Sequence, residues 1–382
     1  MARSPGHARS RPPHAALPWL LVALVVVLVG AAAITGVMMT RPRPTAAAAS
    51  LTKRTPATPL ALVSTSPPTG APAITPGTTL AVTVSAALSP YTPPPTLTPP
   101  LAGNWVLSSP THLQFVAQQP LVPGSAETLT VPGGANGLLG AHGQRLAASQ
   151  SVPFTVAPGS TLRLQQLLAQ LGYLPVTFVP TAPVAPGALA APQPGTFAWR
   201  WPNLPAALTS QWTAGTFGVI TRGAVMRFET VHGMTTTATV GTAFWRALLS
   251  AAASGATDPA PYDYVYVSET LPETATVYEN GAVAYRTLAN TGIPASPTTL
   301  GTYPVYLRYV TTTMSGTNPT GSHYDDPNIP WVSYFNGGDA LHGFIRASYG
   351  FPQSLGCVEM PPANAAVVWP LTPIGTLVTV VA

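Results

Sequence analysis

The chain has 382 residues and a formal charge of +5, yet only 7% of its residues are charged, and it holds 46 prolines, 33 glycines and one cysteine. That composition points to strands, turns and linkers rather than long helices. A single thiol excludes an intramolecular disulfide framework and any multi-cysteine zinc or iron–sulfur site.

The length predicts two or three domains, each burying its own core. The basic excess is local. Arg3, Arg9, Arg11, Arg41, Arg43, Lys53 and Arg54 all precede residue 60, and no acid lies among them. Beyond them nine basic residues face eleven acidic ones. No basic patch remains on the folded part, so nucleic acid is not an expected partner.

A basic tail, 1–16, leads into Leu17–Met39, 23 residues without a charge. As a helix this stretch reaches roughly 34 Å, enough to cross a bilayer core. The alternative is a cleaved secretory signal, with Ala31–Ala33 as the small residues after the apolar core. The stretch is longer than an ordinary signal core, which favours an uncleaved anchor. Arginines flank both sides, so the positive-inside rule is nearly neutral. Residues 40–59, rich in Pro and Thr, read as an extended linker.

Residues 60–157 show short apolar runs between turns, such as "TTLAVTVSAAL" and "SVPFTVAPG", the pattern of a small β-sandwich. The segment resembles the immunoglobulin-like modules that precede exported cell-wall enzymes. His112 and His142 stand alone in it, without a carboxylate cluster.

The period changes over 158–258. Leu164, Leu167, Leu168 and Leu171 fall at helical spacing, with Ser160 or Thr161 as cap and Gly172 as stop. Val225, Phe228 and Glu229 predict a second helix, and Phe244 to Leu249 a third. "LQQLLAQLGY", "TRGAVMRFETVHGM" and "TVGTAFWRALL" resemble a three-helix peptidoglycan-binding module. A Pro/Ala/Trp-rich insert at 177–216 departs from that pattern and puts the glycan-facing groove in question. The Leu, Phe and Trp residues of the three quoted motifs serve equally well as core.

From 259 to 382 β patterning returns. Asn280-Gly281 marks a hairpin turn, and "GTYPVYLRYVTTTMSG" reads as one long strand. "SLGCVEM" then holds Cys357, fifteen positions after His342 of "LHGF". A thiol is mostly protonated at neutral pH and needs a base or a positive neighbour to attack a carbonyl. Only His323 and His342 lie in this segment. His342 at a strand end, with a short loop back to Cys357, is the expected general base, and Cys357 the nucleophile. A buried, inert thiol is the alternative.

Gly356 lets a substrate backbone approach, and the N–H groups of Gly356 and Cys357 suit an oxyanion. Ser354 either hydrogen-bonds in the pocket or shapes the loop. Gly343 has no side chain to orient the imidazole, so a backbone carbonyl is expected there, with Asp339 second. Tyr324, Trp331, Tyr334 and Phe335 are expected either as a wall of the cleft or as packing. His323, Asp325 and Asp326 with His342 would make a zinc set, but Asp326-Pro327-Asn328 reads as turn chemistry, and no metal is expected.

The order of the hairpin, "NTGIPASPTTLGTYPVYLR", "PWVSYFNGGDALHG" and "SYGFPQSLGCVEMPPANAAVVWPL" resembles the YkuD-type L,D-transpeptidase catalytic domain. Taken with the segments above, the expected architecture is a multidomain, mainly β protein with a transmembrane helix, an Ig-like sandwich, a small helical module and a C-terminal catalytic domain, the last of these implied by the resemblance. The resemblance implies Cys357 as nucleophile and His342 as base, with Ser354 and Gly356 in the catalytic loop. Gly343, Tyr334, Phe335, Trp331 and Glu359 would meet substrate. The implied reaction is 3→3 cross-linking of peptidoglycan stem peptides through a thioester, without a cofactor, on the outer side of the cell membrane. Glu359 departs from the family, which commonly has Arg or Asn there to hold substrate carboxylates. Hydrolysis of stem peptides, as a carboxypeptidase or other cysteine peptidase, and a non-catalytic wall-binding scaffold are the rival readings.

Overall fold

The computed structural model describes residues 58–382. The tail at 1–16, the apolar span at 17–39 and nearly all of the linker at 40–59 lie outside the described residues. Among the described residues no helix is long and apolar enough to cross a membrane.

The first folded part holds β1 (Leu62–Ser66), β2 (Ala81–Val84), β3 (Thr96–Thr98), β4 (Gly103–Ser109), β5 (His112–Ala117), β6 (Ala126–Val131) and β7 (Gln150–Thr155). One antiparallel sheet runs β1-β2-β5-β4 and the other β3-β6-β7. Alternation along "AVTV" sends Val82 and Val84 inward, where they meet Leu113, Phe115, Leu129 and Val152 from both sheets. His112 is spent on the Thr83 hydroxyl, at 2.8 Å.

The helical part follows as α1 (Thr161–Gln170), β8 (Val176–Pro180), β9 (Gly195–Trp199), α2 (Ala206–Thr209), α3 (Val219–Val231) and α4 (Thr242–Ser254). Ser160, not Thr161, caps α1: its Oγ accepts the Arg163 N–H. Gly172, with φ +86°, ends the helix. The 177–216 insert is ordered structure. It supplies most of the β8–β9 hairpin and all of α2, and it packs Phe178, Ala190, Leu204 and Leu208 into the helical core.

Buried polar groups of α1 hold this insert down. Arg163 is fully buried and donates to Leu189 O and Gln166 Oε1. Gln165 donates to Thr213 O, Thr216 O and the Thr221 hydroxyl and accepts the Gly215 N–H. Gln166 exchanges hydrogen bonds with the Gln193 main chain. Burial lowers the Arg163 guanidinium to about 10. Every one of these contacts satisfies a group that would otherwise be buried unpaired, so the three side chains are committed to structure.

The C-terminal part contains β10 (Asp263–Ser268), β11 (Thr274–Glu279), β12 (Ala282–Leu288), β13 (Gly301–Pro304), β14 (Leu307–Thr317), β15 (His323–Asn336), β16 (Asp339–Gly343), β17 (Val358–Met360), α5 (Pro362–Val368) and β18 (Leu377–Val381). One sheet runs β12-β11-β10-β18-β13 and the other β14-β15-β16-β17. Asn280 and Gly281 both have positive φ, as the tight β11–β12 turn demands. Val265, Val277, Val378 and Val380 from the first sheet meet Phe335, Leu341, Val358 and Met360 from the second. The expected single strand at 301–316 is two. At Val305 the chain leaves β18 and at Tyr306 it joins β15, so β13 and β14 belong to different sheets. Pro304, which has no N–H to give to a ladder, stands at the corner.

The helical and C-terminal parts share a core, since Tyr264 and Leu377 pack among the helix leucines. A Cβ on Gly223 of α3 would lie 2.5 Å from Gly375 O, so only glycine permits this backbone contact. Beside it Arg227 holds Asp258 through two hydrogen bonds of 2.9 and 3.0 Å. A cavity of about 30 Å³ at this junction is lined by Arg227, Asp258 and Asp263. Asp263 is buried and its Oδ1 has no partner. Burial, helped by Glu279 across the strand pair, pushes its carboxyl up to about 7.

The unfolded Asp263 ionises near its ordinary value of 3.8, so the contribution to stability is complete below that pH and is lost as pH rises through about 7. Asp263→Asn is therefore expected to raise the melting temperature by a few degrees at pH 8 and to leave it unchanged at pH 4. Thermal scans at the two pH values check this.

Candidate active site

The parallel pair β16–β17 sets the register Leu341↔Val358 and His342↔Glu359. Cys357 precedes Val358, so His342, Cys357 and Glu359 share one face while Leu341 and Val358 point to the core. That face opens on a cavity of about 400 Å³, the size of a small-ligand pocket. The opposite wall is the outer half of the β14–β15 hairpin, where Met314, Ser315, Tyr324, Asp326 and Ile329 line the cavity. This half extends past the end of β16, which pairs with β15 only from Ser333. Asn328 and Trp331 take φ of +60° within β15 and break its regular alternation. The stretch expected as a turn, Asp326-Pro327-Asn328, is thus a distorted strand.

His342 is 3% exposed. Its Nδ1 lies 3.1 Å from Gly343 O. A carbonyl only accepts, so Nδ1 carries the proton and Nε2 is left as a base. Burial lowers its pKa, and the Gly343 carbonyl only partly offsets this. Cys357 is half-buried, and its Sγ donates to Gly338 O at 3.6 Å. The sulfur lies low enough that burial pushes the thiol up to about 12. The Ala340 main chain acts against this, while the charges of Asp339 and Glu359 add to it. Thiol and imidazole therefore rest neutral, on one face of one cavity, without a hydrogen bond between them.

Several expected contacts are corrected. Ser354 is fully buried; its Oγ donates to Cys357 O at 2.5 Å and accepts the Gly356 N–H at 3.2 Å. It shapes the loop rather than touching the cavity, and it occupies the Gly356 N–H expected at the oxyanion. Gly343 backs onto α5, where a Cβ would lie 2.9 Å from Pro362 Cα; its carbonyl meets the imidazole, and it does not line the cavity. Tyr334 lines the cavity, but Phe335 points to the opposite face and is core. Trp331 packs on Trp369, with ring centres 5.7 Å apart, rather than in the cleft. Among the described residues no group of three or more His, Cys, Asp or Glu stands close enough to hold a metal ion.

Glu359 does line the cavity, and its environment explains its presence there. Arg346, from the loop after β16, grips it with Nε and Nη2 at 2.8 Å each. The Arg346 guanidinium lies 4.5 Å from the centre of the Phe344 ring and lines the same cavity. Sequence reasoning missed Arg346. The signal was available: one arginine in a charge-poor loop between His342 and Cys357, with one buried-strand glutamate to meet it.

Gly356, at φ +117°, lies where a Cβ would come within 2.7 Å of Asp339 Oδ1. Gly356→Ala is expected to cost about 1–3 kcal/mol through backbone strain and to displace Cys357. Urea unfolding and thiol-modification rates measure the two effects.

A buried imidazole and the chain's one thiol line the same cavity of about 400 Å³. Residues 262–380 match the family model YkuD, the L,D-transpeptidase catalytic domain. This part of the chain is a YkuD L,D-transpeptidase catalytic domain, and the protein is an enzyme of that class. The chain is also similar to solved structures. The catalytic domain of the L,D-transpeptidase from E. faecium is 26% identical, over 31% of this chain and 95% of that one, with a TM-score of 0.29. The L,D-transpeptidase from Mycobacterium smegmatis is 12% identical, over 85% of this chain and 100% of that one, with a TM-score of 0.29. L,D-transpeptidase 3 from Mycobacterium tuberculosis, solved with a faropenem-derived adduct, is 13% identical over 84% and 98%, also at 0.29. No curated protein matches the chain. The assignment rests on the family match and on the site itself.

Proposed function

We propose that the protein forms 3→3 peptidoglycan cross-links through a Cys357 thioester. The observation that carries this reading is the His342 tautomer: Nδ1–H fixed on Gly343 O, Nε2 free, in the cavity that holds the only thiol. As substrate docks, Nε2 takes the thiol proton and Sγ attacks the carbonyl of the third, diamino acid residue of the stem. The terminal D-Ala leaves with that proton. An amine of a neighbouring stem then replaces sulfur. The phenols of Tyr324 and Tyr334 line the cavity, and burial raises both pKa values, which keeps them as donors for the oxyanion. Arg346 is the one cationic side chain lining the cavity, and its two-point pair with Glu359 fixes that wall for the donor stem.

The upstream parts are read as an Ig-like spacer at 60–157 and a peptidoglycan-binding-like module at 158–258. With 17–39 as a single-pass anchor and 1–16 inside the cell, they would hold the catalytic domain at the wall. There it would serve wall organisation and cell shape. The insert at 177–216 covers Arg163, Gln165 and Gln166, so glycan contact by this module would use other residues.

Incubation with tetrapeptide muropeptides tests the reading. Cross-linked dimers support transfer, tripeptide alone supports hydrolysis, and an unchanged substrate leaves the scaffold reading. A carbapenem is expected to add its mass to Cys357, detected by peptide mass spectrometry.

A further inference from the structure

The charges lining the Cys357 cavity are unbalanced. Arg346 is matched by Glu359 in a two-point ion pair, which leaves Asp326 and Asp339 uncompensated. Asp339 is partly satisfied: its Oδ2 accepts the Thr299 N–H at 3.1 Å, and Oδ1 lies against Gly356. The Asp326 carboxylate makes no hydrogen bond and no ion pair with any described residue. It is half-buried, on the free half of the β14–β15 hairpin, where Tyr324 two positions earlier lines the same cavity. His323 and Asp325, between and before them in the strand, are exposed and do not line it. A second observation points the same way. His342 is 3% exposed and lines this cavity; its Nδ1 is used, and its Nε2 has no hydrogen-bond partner among the described residues. An unpaired carboxylate across a cavity from an unprotonated imidazole is a receptacle for a group that is both cationic and acidic. A primary ammonium is such a group.

We propose that Asp326 binds the acyl acceptor, receiving the ammonium of the incoming amine and holding it beside the Cys357 acyl group. This rests on the thioester reading above and adds what selects an amine over water. The ammonium passes one proton to His342 Nε2. The freed nitrogen attacks the thioester carbonyl, the C–N bond forms and the C–S bond breaks. A second proton of that nitrogen goes to the departing sulfur. The sum is thioester plus ammonium giving amide, thiol and one proton, which His342 releases to water. The charge of Asp326 also acts on His342 in the direction that favours its taking the proton.

Asp326→Asn is nearly isosteric and breaks no hydrogen bond. Given tetrapeptide donor and a limiting amine acceptor, the variant is expected to lower the dimer-to-tripeptide ratio by about tenfold. Excess acceptor should restore the ratio. Asp326→Glu should keep the parent ratio. An unchanged ratio in Asp326→Asn overturns the proposal. A second arm needs no turnover: Cys357 modification by 2-aminoethyl methanethiosulfonate, which is cationic, is compared with that by the neutral methyl reagent. The cationic-to-neutral rate ratio should fall about tenfold in Asp326→Asn, and no fall again overturns it. If the parent protein makes no product from tetrapeptide, the thioester reading fails, and the modification ratio alone decides the role of Asp326.

Discussion

Cys357→Ala is expected to abolish both dimer and tripeptide formation, a loss of at least about 10⁴-fold against the parent. The reason is stoichiometric: the chain has no second thiol, and no other cavity-lining side chain is a comparable nucleophile. Folding should survive, because the side chain is half-buried and its hydrogen bond is a weak sulfur contact to Gly338 O. Chromatographic separation of the muropeptides reads the activity, and a thermal scan reads the fold. Turnover persisting in a folded Cys357→Ala protein would remove the covalent mechanism outright.

His342→Gln is expected to slow acylation by about 10²–10⁴-fold, the usual contribution of a positioned base. The pH profile separates this role from simple packing. Burial lowers the His342 pKa below its ordinary 6.5, so the base form persists at and below that pH. Parent acylation should therefore hold steady through neutrality and decline only on the acid side. In His342→Gln the thiol must ionise unaided, and its pKa is pushed up to about 12. The residual rate should then climb about tenfold per pH unit across the neutral range. Stability follows the same group. Neutral burial of His342 contributes fully above 6.5 and is lost as pH falls through the lower folded value, because the unfolded chain takes up the proton first. His342→Gln should flatten that acid-side slope.

Cys357 and His342 stood out as candidates because few residues of their kind exist to choose from, and the fold lines one cavity with both. Local signals carried far: Asn280-Gly281 reads as a turn from two residues, and the place before the leucine repeat narrows the cap to Ser160 or Thr161, of which the structure uses Ser160. What was hidden depends on strand sidedness and on distant partners. Trp331 and Phe335 looked like cleft aromatics, but irregularities at Asn328 and Trp331 decide which side chains face inward, and no pattern of period two carries that information. The corner at Val305 was invisible because both halves of "GTYPVYLRYV" are good strands. Glu359 looked like a defect only while Arg346 was unseen, thirteen residues away along the chain. The insert was unreadable for a related reason, since its partners are three polar side chains of α1 that a sequence pattern assigns to solvent.

The glycine-to-carbonyl contact between Gly223 and Gly375 leaves no room for a hinge where α3 meets the sheet. The thiol then sits at a fixed span from any surface the helices present, much as a calliper jaw sits from its stop. If the helices hold murein as proposed above, the stems within reach follow from that fixed span, and a side chain added at residue 223 should blur the choice before it harms the chemistry.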